Sequence, residues 1–462
     1  MSALWAERVL VGGTIETGVR FETDVTGRIA HRETGVSALP GDDLAGFVIP
    51  GFANAHSHLF HRVLRGRTHD DGGDFWAWRE QMYAAAAELD PDGYRELATA
   101  VFGEMISTGY TAVGEFHYVH HRPSGAAYGD HDMELAIADA AATVGIRLTI
   151  LDTCYLAGGI GQPLSPEQAR FGDGDAAGWL ARWHALRARL DERANPLVTL
   201  GAAIHSVRAV PVEAIAEIVA GLPADVPLHI HLSEQPREND DTIAAFGLTP
   251  TALLESLGVL AERVSVVHAT HLTDPDIRLL GDAGVSVVMC PTTEADLGDG
   301  IGPARALADA GALIALGSDQ NAVIDPFLEV RGIEAGERLA SGERGRFSPA
   351  ELLEAATSAG YRSLGLGEAR LGVGHPLDLV EIDLESSRTI GARPEQIGLV
   401  ASGSDVTGVW VGGRRQVTRE SGGLVAISGI GSLADLYRRV LRARAETPQR
   451  AERAALDEES GA

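Results

Sequence analysis

Eight short apolar segments run through the middle of this chain, each followed by a longer amphipathic stretch, and this leaves few ways for it to fold. The segments are FVIPGFANAH, YTAVGEFHY, RLTILDTCY, LVTLGAAIHS, PLHIHLSE, VSVVHATH, VSVVMCP and LIALGSD. Their length and β-branched content suit buried parallel strands. Stretches such as DGYRELATAVFGEMIST, MELAIADAAATV, PVEAIAEIVAGL and TALLESLG lie between them and carry a helical period. Eight βα repeats predict an α/β chain folded as a (β/α)8 TIM-like barrel. A doubly wound open sheet shares the alternation, but no Gly-rich phosphate-binding fingerprint follows a first strand.

Both ends of the chain have a different texture. RVLVGG and GVRFETDVTGRI near the start, and DLVEIDLES, VTGVWVGGRR and GGLVAIS near the end, read as short strands and turns. The expected organisation is a small composite β-domain from residues 1–47 and 372–430, around a barrel over 48–371. An Arg-rich helix, SLADLYRRVLRARAE, and a polar tail occupy 431–462.

Composition narrows the function classes. The formal charge of −27 gives the wrong field for a nucleic-acid surface. No segment approaches the ~20 apolar residues of a membrane span, and the N-terminus lacks a basic head followed by an apolar run. Cys154 and Cys290 cannot make a disulfide framework, which points to a cytoplasmic setting. The chain contains no lysine, which excludes Schiff-base chemistry and any carboxylated-lysine metal bridge.

In a barrel of this type, chemistry sits at the C-terminal ends of the strands. The first strand ends in NAHSH, where His56 and His58, two apart on an extended chain, project to the same side. The fifth, PLHIHLSE, carries His229 and His231 on one face, with Glu234 three residues on; His229, deeper, reads as a packed core histidine. His268 ends the sixth strand. Asp319 follows the eighth, where a lone Asp could equally be a helix N-cap. His117, His120 and His121 read as structural or loop residues. Neutral imidazoles plus one carboxylate suit one divalent ion, Zn2+ being the expected one although Fe2+ and Mn2+ accept the same donors. Such a site, with net charge near +1, lowers the pKa of a bound water toward ~7 and makes it the nucleophile. Asp319, His268 and Glu234 are then placed for proton handling.

These residues resemble the amidohydrolase superfamily over essentially the whole chain. PGFANAHSH is similar to its first-strand His-x-His, HLSE to its fifth-strand motif, VVHATH to its sixth-strand His and GSD to its eighth-strand Asp. DFWAWREQMY, GEFHYVHH and AIHSVRAV are further similar to signatures of the formimidoylglutamate deiminase family of histidine breakdown. That resemblance implies metal-dependent hydrolysis of N-formimidoyl-L-glutamate to N-formyl-L-glutamate and ammonia. It implies His56, His58, His231 and Asp319 as metal ligands, and Glu234, His268 and Asp319 as catalytic groups. His61, Arg79, Tyr118, His205 and Arg208 would contact substrate. His61 departs from the glutamine of better-known members, and either side chain can donate a hydrogen bond. Similar proteins also suggest a homodimer.

A small dicarboxylate substrate fits a chain this acidic only if local cations capture it. Arg208, three residues past His205, has the fork geometry for a carboxylate. Arg79 lies on a helical stretch near Trp76 and Trp78, where its plain alternative is a surface pair with Glu80; Tyr118 is alternatively a packed aromatic. Another mononuclear deaminase, acting on a different amidine, guanidine or aminoheterocycle, would share the metal set without two carboxylate clamps. A non-catalytic barrel would be expected to lose ligands.

Overall fold

A computed structural model describes residues 3–68, 75–419 and 425–442, with only the backbone described for 75–77. The expected Trp76 side chain, residues 69–74 and the tail beyond 442 lie outside the described residues. The eight apolar segments form parallel strands: β5 (Phe52–Ser57), β6 (Tyr110–His117), β7 (Arg147–Cys154), β8 (Val198–Ile204), β9 (Leu228–Leu232), β10 (Val264–His268), β11 (Ser286–Met289) and β12 (Leu313–Leu316). They are ordered sequentially from β5 to β12. A parallel bridge from Ser57 to Asp319 closes the ring, with Asp319 N–H donating to the His56 carbonyl at 3.0 Å and His58 N–H donating to the Asp319 carbonyl at 2.8 Å. Closure itself therefore brings the first and last strand-end motifs side by side.

Between strands, local chemistry starts the helices. Asp90 accepts from Gly93 N–H ahead of Pro91, and Thr249 caps the helix Pro250–Ser256. Thr273 with Asp276, and Ser348 with Glu351, form capping boxes. Apolar faces such as Leu97, Val101 and Met105 then pack on the barrel wall.

A second sheet is built from both ends of the chain. It contains β1 (Ala3–Val11), β2 (Thr14–Thr23), β3 (Ile29–Glu33), β4 (Asp43–Pro50), β13 (Leu379–Ile382), β14 (Val406–Val411), β15 (Arg414–Arg419) and β16 (Val425–Ile427). The order is β16-β15-β14-β13-β4-β1-β2-β3. FVIPGFANAH is not one strand: residues 48–50, expected in the barrel, finish β4, and the barrel begins after Gly51. A Cβ at Gly51 would lie 2.1 Å from Thr111 Oγ1, so only glycine lets the chain pass from one sheet to the other there. The fork of Arg147 on Asp378, which also accepts from Tyr361 Oη and Gly412 N–H, pins the second sheet to the barrel. Residues 433–442 are helical, as the Arg-rich segment suggested.

Candidate active site

Barrel closure gathers His56, His58, His231 and Asp319 at the C-terminal ends of β5, β9 and β12. His231 Nε2 lies 3.2 Å from His56 Nε2 and 3.4 Å from His58 Nε2; Asp319 Oδ1 lies 3.4 Å from both His56 and His58 Nε2. Four ligands 2.0–2.2 Å from a tetrahedral ion stand about 3.3–3.6 Å apart. The observed separations match that spacing.

Protonation makes the same point. The Nδ1 atoms of His58 and His231 face the carbonyls of Phe116 and His205, both at 2.9 Å, and a carbonyl only accepts. Each Nδ1 therefore holds the proton, and each Nε2 presents a lone pair. Burial, reinforced by the neighbouring imidazoles, pushes His56 and His231 well below the usual histidine range and His58 to about 3. Converging lone pairs with no hydrogen between them repel unless a cation sits among them. This donor set therefore fits a divalent ion, with His56, His58, His231 and Asp319 as its holders.

The surrounding backbone is bent to aim these groups. Ser233, His268, Ala269, Asp319 and Asn321 all have positive φ, between 43° and 71°, at or just past the ends of β9, β10 and β12. Such conformations cost non-glycine residues stability and persist where surrounding bonds enforce them. Asn321 is one enforcer, donating to Ser57 Oγ and the His58 carbonyl.

A cavity of about 610 Å³ opens above the metal set, and His58, His61, Arg79, Tyr118, His205, Arg208, His231, Glu234, His268 and Asp319 all reach its wall. His56 lies behind them. His268 Nε2 faces Asp319 Oδ2 at 3.9 Å and Glu234 Oε1 at 4.0 Å, while its Nδ1 is 3.5 Å from Glu294. Burial opposes charge on His268, but Glu294, Glu234 and Asp319 together hold it up to about 10. His61 is neutral, depressed by burial and by His58, and its Nε2 meets Tyr118 Oη at 3.1 Å. His205 is likewise depressed by burial and the Arg208 charge.

Arg79, whose plain alternative was a surface pair with Glu80, lines the cavity. Its Nε donates to Tyr83 Oη at 2.6 Å and its Nη2 to Tyr155 Oη at 3.4 Å, and Gln168 Nε2 donates to both hydroxyls. Arg208 Nη2 donates to Glu234 Oε2 at 3.3 Å, and its Nε lies 3.3 Å from Glu238 Oε2. Tyr83, Tyr155, Gln168, Glu238 and Glu294 were not singled out from sequence. Tyr155 closes the segment RLTILDTCY and could have been found by the strand-end rule; Gln168 carries no local signal.

His229 is a core residue, its Nε2–H donating to the Ser363 carbonyl at 2.8 Å. His117 and His120 converge on Glu134, a second arrangement with metal-ligand types. That cluster already holds its cation: Arg182 donates to Glu134, Asp152 and Asp173. His120 faces only acceptors, the Thr153 carbonyl and Glu134; against burial and the Arg182 charge, Asp152 and Glu134 raise its pKa.

Known proteins are similar to this chain over most of its length. A formimidoylglutamate deiminase from Pseudomonas aeruginosa is 37% identical over 395 residues, covering 83% of this chain and 86% of that protein. A 5-methylthioadenosine/S-adenosylhomocysteine deaminase from Natronomonas pharaonis is 28% identical over 403 residues, covering 83% and 86%. The crystal structure of an amidohydrolase from Brucella melitensis superposes with a TM-score of 0.88 at 32% identity, covering 96% of this chain and 99% of that one. The amidohydrolase family profile matches residues 47–415, from the end of the N-terminal strands to β15. This chain therefore belongs to the amidohydrolase family.

Proposed function

We propose that this protein hydrolyses N-formimidoyl-L-glutamate to N-formyl-L-glutamate and ammonia, a step of histidine breakdown, with Zn2+ as the ion. The observation that carries this reading is the pair of arginines, Arg79 and Arg208, on the wall of the cavity that the metal set floors. A purine or other heterocycle has no carboxylates to occupy two guanidinium groups, whereas this substrate has two. The likeness to the Pseudomonas aeruginosa deiminase supports the same choice over the weaker adenosine-type relative.

When bound at His56, His58, His231 and Asp319, a divalent ion supplies an acidified water as nucleophile. The chain's own groups do the rest. Arg208 and Arg79 hold the carboxylates and so fix the amidine above the metal set; Tyr118 and His61 line the same wall. Asp319, with Oδ1 toward the histidines and Oδ2 toward His268, accepts the proton of the attacking water. His268, kept protonated by Glu294 and its other carboxylate neighbours, donates to the oxygen that develops negative charge at the tetrahedral carbon. Glu234, its Oε1 facing His268, takes the proton that remains on that oxygen and delivers it to the departing nitrogen, which leaves as ammonia while the oxygen becomes the formyl carbonyl.

The test is ammonia release by metal-replete protein from N-formimidoyl-L-glutamate, 5-methylthioadenosine, guanine and cytosine in parallel. Turnover of the first alone is the expected result; turnover of a ring compound with an inert amidine would replace this reading by the heterocycle one.

A further inference from the structure

Glu238 belongs to no motif read from the sequence, yet it is among the most deeply buried carboxylates near the cavity, with 1% of its surface exposed. It sits in the first turn of the helix Pro236–Phe246. Burial raises its pKa, Arg208 is the main opposing influence, and neither carboxyl oxygen takes a hydrogen bond among the described residues. Ser233 and Glu234 form the positive-φ turn that carries Glu234 over the cavity. Glu238 thus stands against the Nε edge of the clamp, in the helical turn that follows the proton carrier Glu234.

Arg208 is divided between two carboxylates. Nε faces Glu238 Oε2 as a charge pair with no hydrogen bond between them, and Nη2 reaches a single oxygen of Glu234, whose other oxygen faces His268. Among the described residues, nothing accepts a hydrogen bond from Nη1, and Arg208 lines the cavity. An arginine released from Glu238 would close on Glu234 as a two-point fork, the favoured geometry for this pair. That would remove the clamp and the proton carrier together.

We propose that Glu238 is a positioning residue that holds the Nε edge of Arg208, turning its outer end toward a ligand carboxylate and limiting its grip on Glu234 to one oxygen. Resting on the deiminase reading, this makes one guanidinium serve both carboxylate recognition and the orientation of Glu234. A substrate without the matching carboxylate then loses turnover as well as affinity, because its binding no longer draws Arg208 outward.

The test is calorimetric titration of metal-replete protein with glutarate, comparing wild type, Glu238→Leu and Glu238→Gln. Bulk electrostatics alone predicts that deleting a negative charge tightens anion binding. Positioning predicts the reverse: weakening of roughly tenfold or more in Glu238→Leu, partly restored in Glu238→Gln, which loses the charge but keeps a carbonyl oxygen facing Nε. With N-formimidoyl-L-glutamate, kcat should fall by about 10- to 100-fold in Glu238→Leu and less in Glu238→Gln. Unchanged or tighter glutarate binding in both variants, or a wild type that does not bind glutarate, overturns the proposal. A wild type that binds glutarate but releases no ammonia from the amidine overturns the deiminase reading instead, and the glutarate comparison still decides the role of Glu238. Glu238→Gln nearly preserves shape, so the comparison survives if Glu238→Leu fails to fold.

Discussion

Tyr437 donates a hydrogen bond to Glu104 Oε2 at 2.6 Å, and the other oxygen of that carboxylate takes Arg62. Arg62 in turn donates to the Asn321 and Ala322 carbonyls, just past Asp319, and stands on the turn Leu59–Leu64 that follows His58. The C-terminal helix is thereby tied to the segments that follow His58 and Asp319, and Arg65 lies over the Tyr437 ring at 4.6 Å. Tyr437→Phe deletes the first bond and keeps the ring. It should lower stability by about 1 kcal/mol and speed metal loss to a chelator. Thermal unfolding and a chelator time course check this; an unchanged rate of metal loss would detach the helix from the metal loops.

Metal removal should expose the repulsion built into the ligand set. Stripping the ion with a chelator is expected to abolish ammonia release and to lower the unfolding midpoint, since an ion held at a hundred times its Kd contributes about 2.7 kcal/mol. Zn2+ added back should restore both. His231→Ala should bind substoichiometric metal by elemental analysis, because one of the four groups that would hold the ion is lost.

Glu234→Gln should cut kcat by roughly 10²- to 10⁴-fold while leaving metal content at the wild-type level, since it removes a proton carrier and not a ligand. Substantial activity in that variant would take Glu234 out of the mechanism.

Arg79→Met should raise KM for N-formimidoyl-L-glutamate by about 10-fold or more with a smaller effect on kcat, through loss of a charge-assisted bond. The bonds from Gln168 would still hold Tyr83 and Tyr155 in place. Steady-state kinetics decide it: an unchanged KM would return Arg79 to a packing role.

Glu329 provides a pH test away from the cavity. Burial lifts its carboxyl to about 8, against hydrogen bonds from Thr292 N–H and Oγ1. The folded protein therefore keeps a proton that the unfolded chain releases near 4.5, and stability falls as pH rises from that value toward 8. Glu329→Gln removes this dependence, so its midpoint should exceed that of wild type by a margin that widens between pH 5 and pH 8. Thermal melts across that range measure the margin; a constant margin would contradict the assignment.

Much of this molecule is written in short-range terms. Apolar runs alternating with capped helices require a parallel α/β sheet whatever the distant residues are, because each βα unit buries its own faces, and eight units without a Gly-rich fingerprint favour the closed barrel over the open sheet. His56, His58, His231, His268 and Asp319 could be read as a set because strand ends converge once a barrel closes. The point where β4 hands over to β5 escaped, since the need for Gly51 arises from Thr111, a neighbour only across the wall.

The sequence by itself determined which donors meet at the barrel mouth, and hence the ion class and the family. Only the tertiary structure decided which charges neutralise one another: Arg208 with Glu234 and Glu238, Arg182 with the carboxylates around His117 and His120, Arg62 with Glu104. Pairing of this kind depends on direction and burial in three dimensions. Strand periodicity says which face a side chain takes but not which partner, contributed by another part of the chain, waits there.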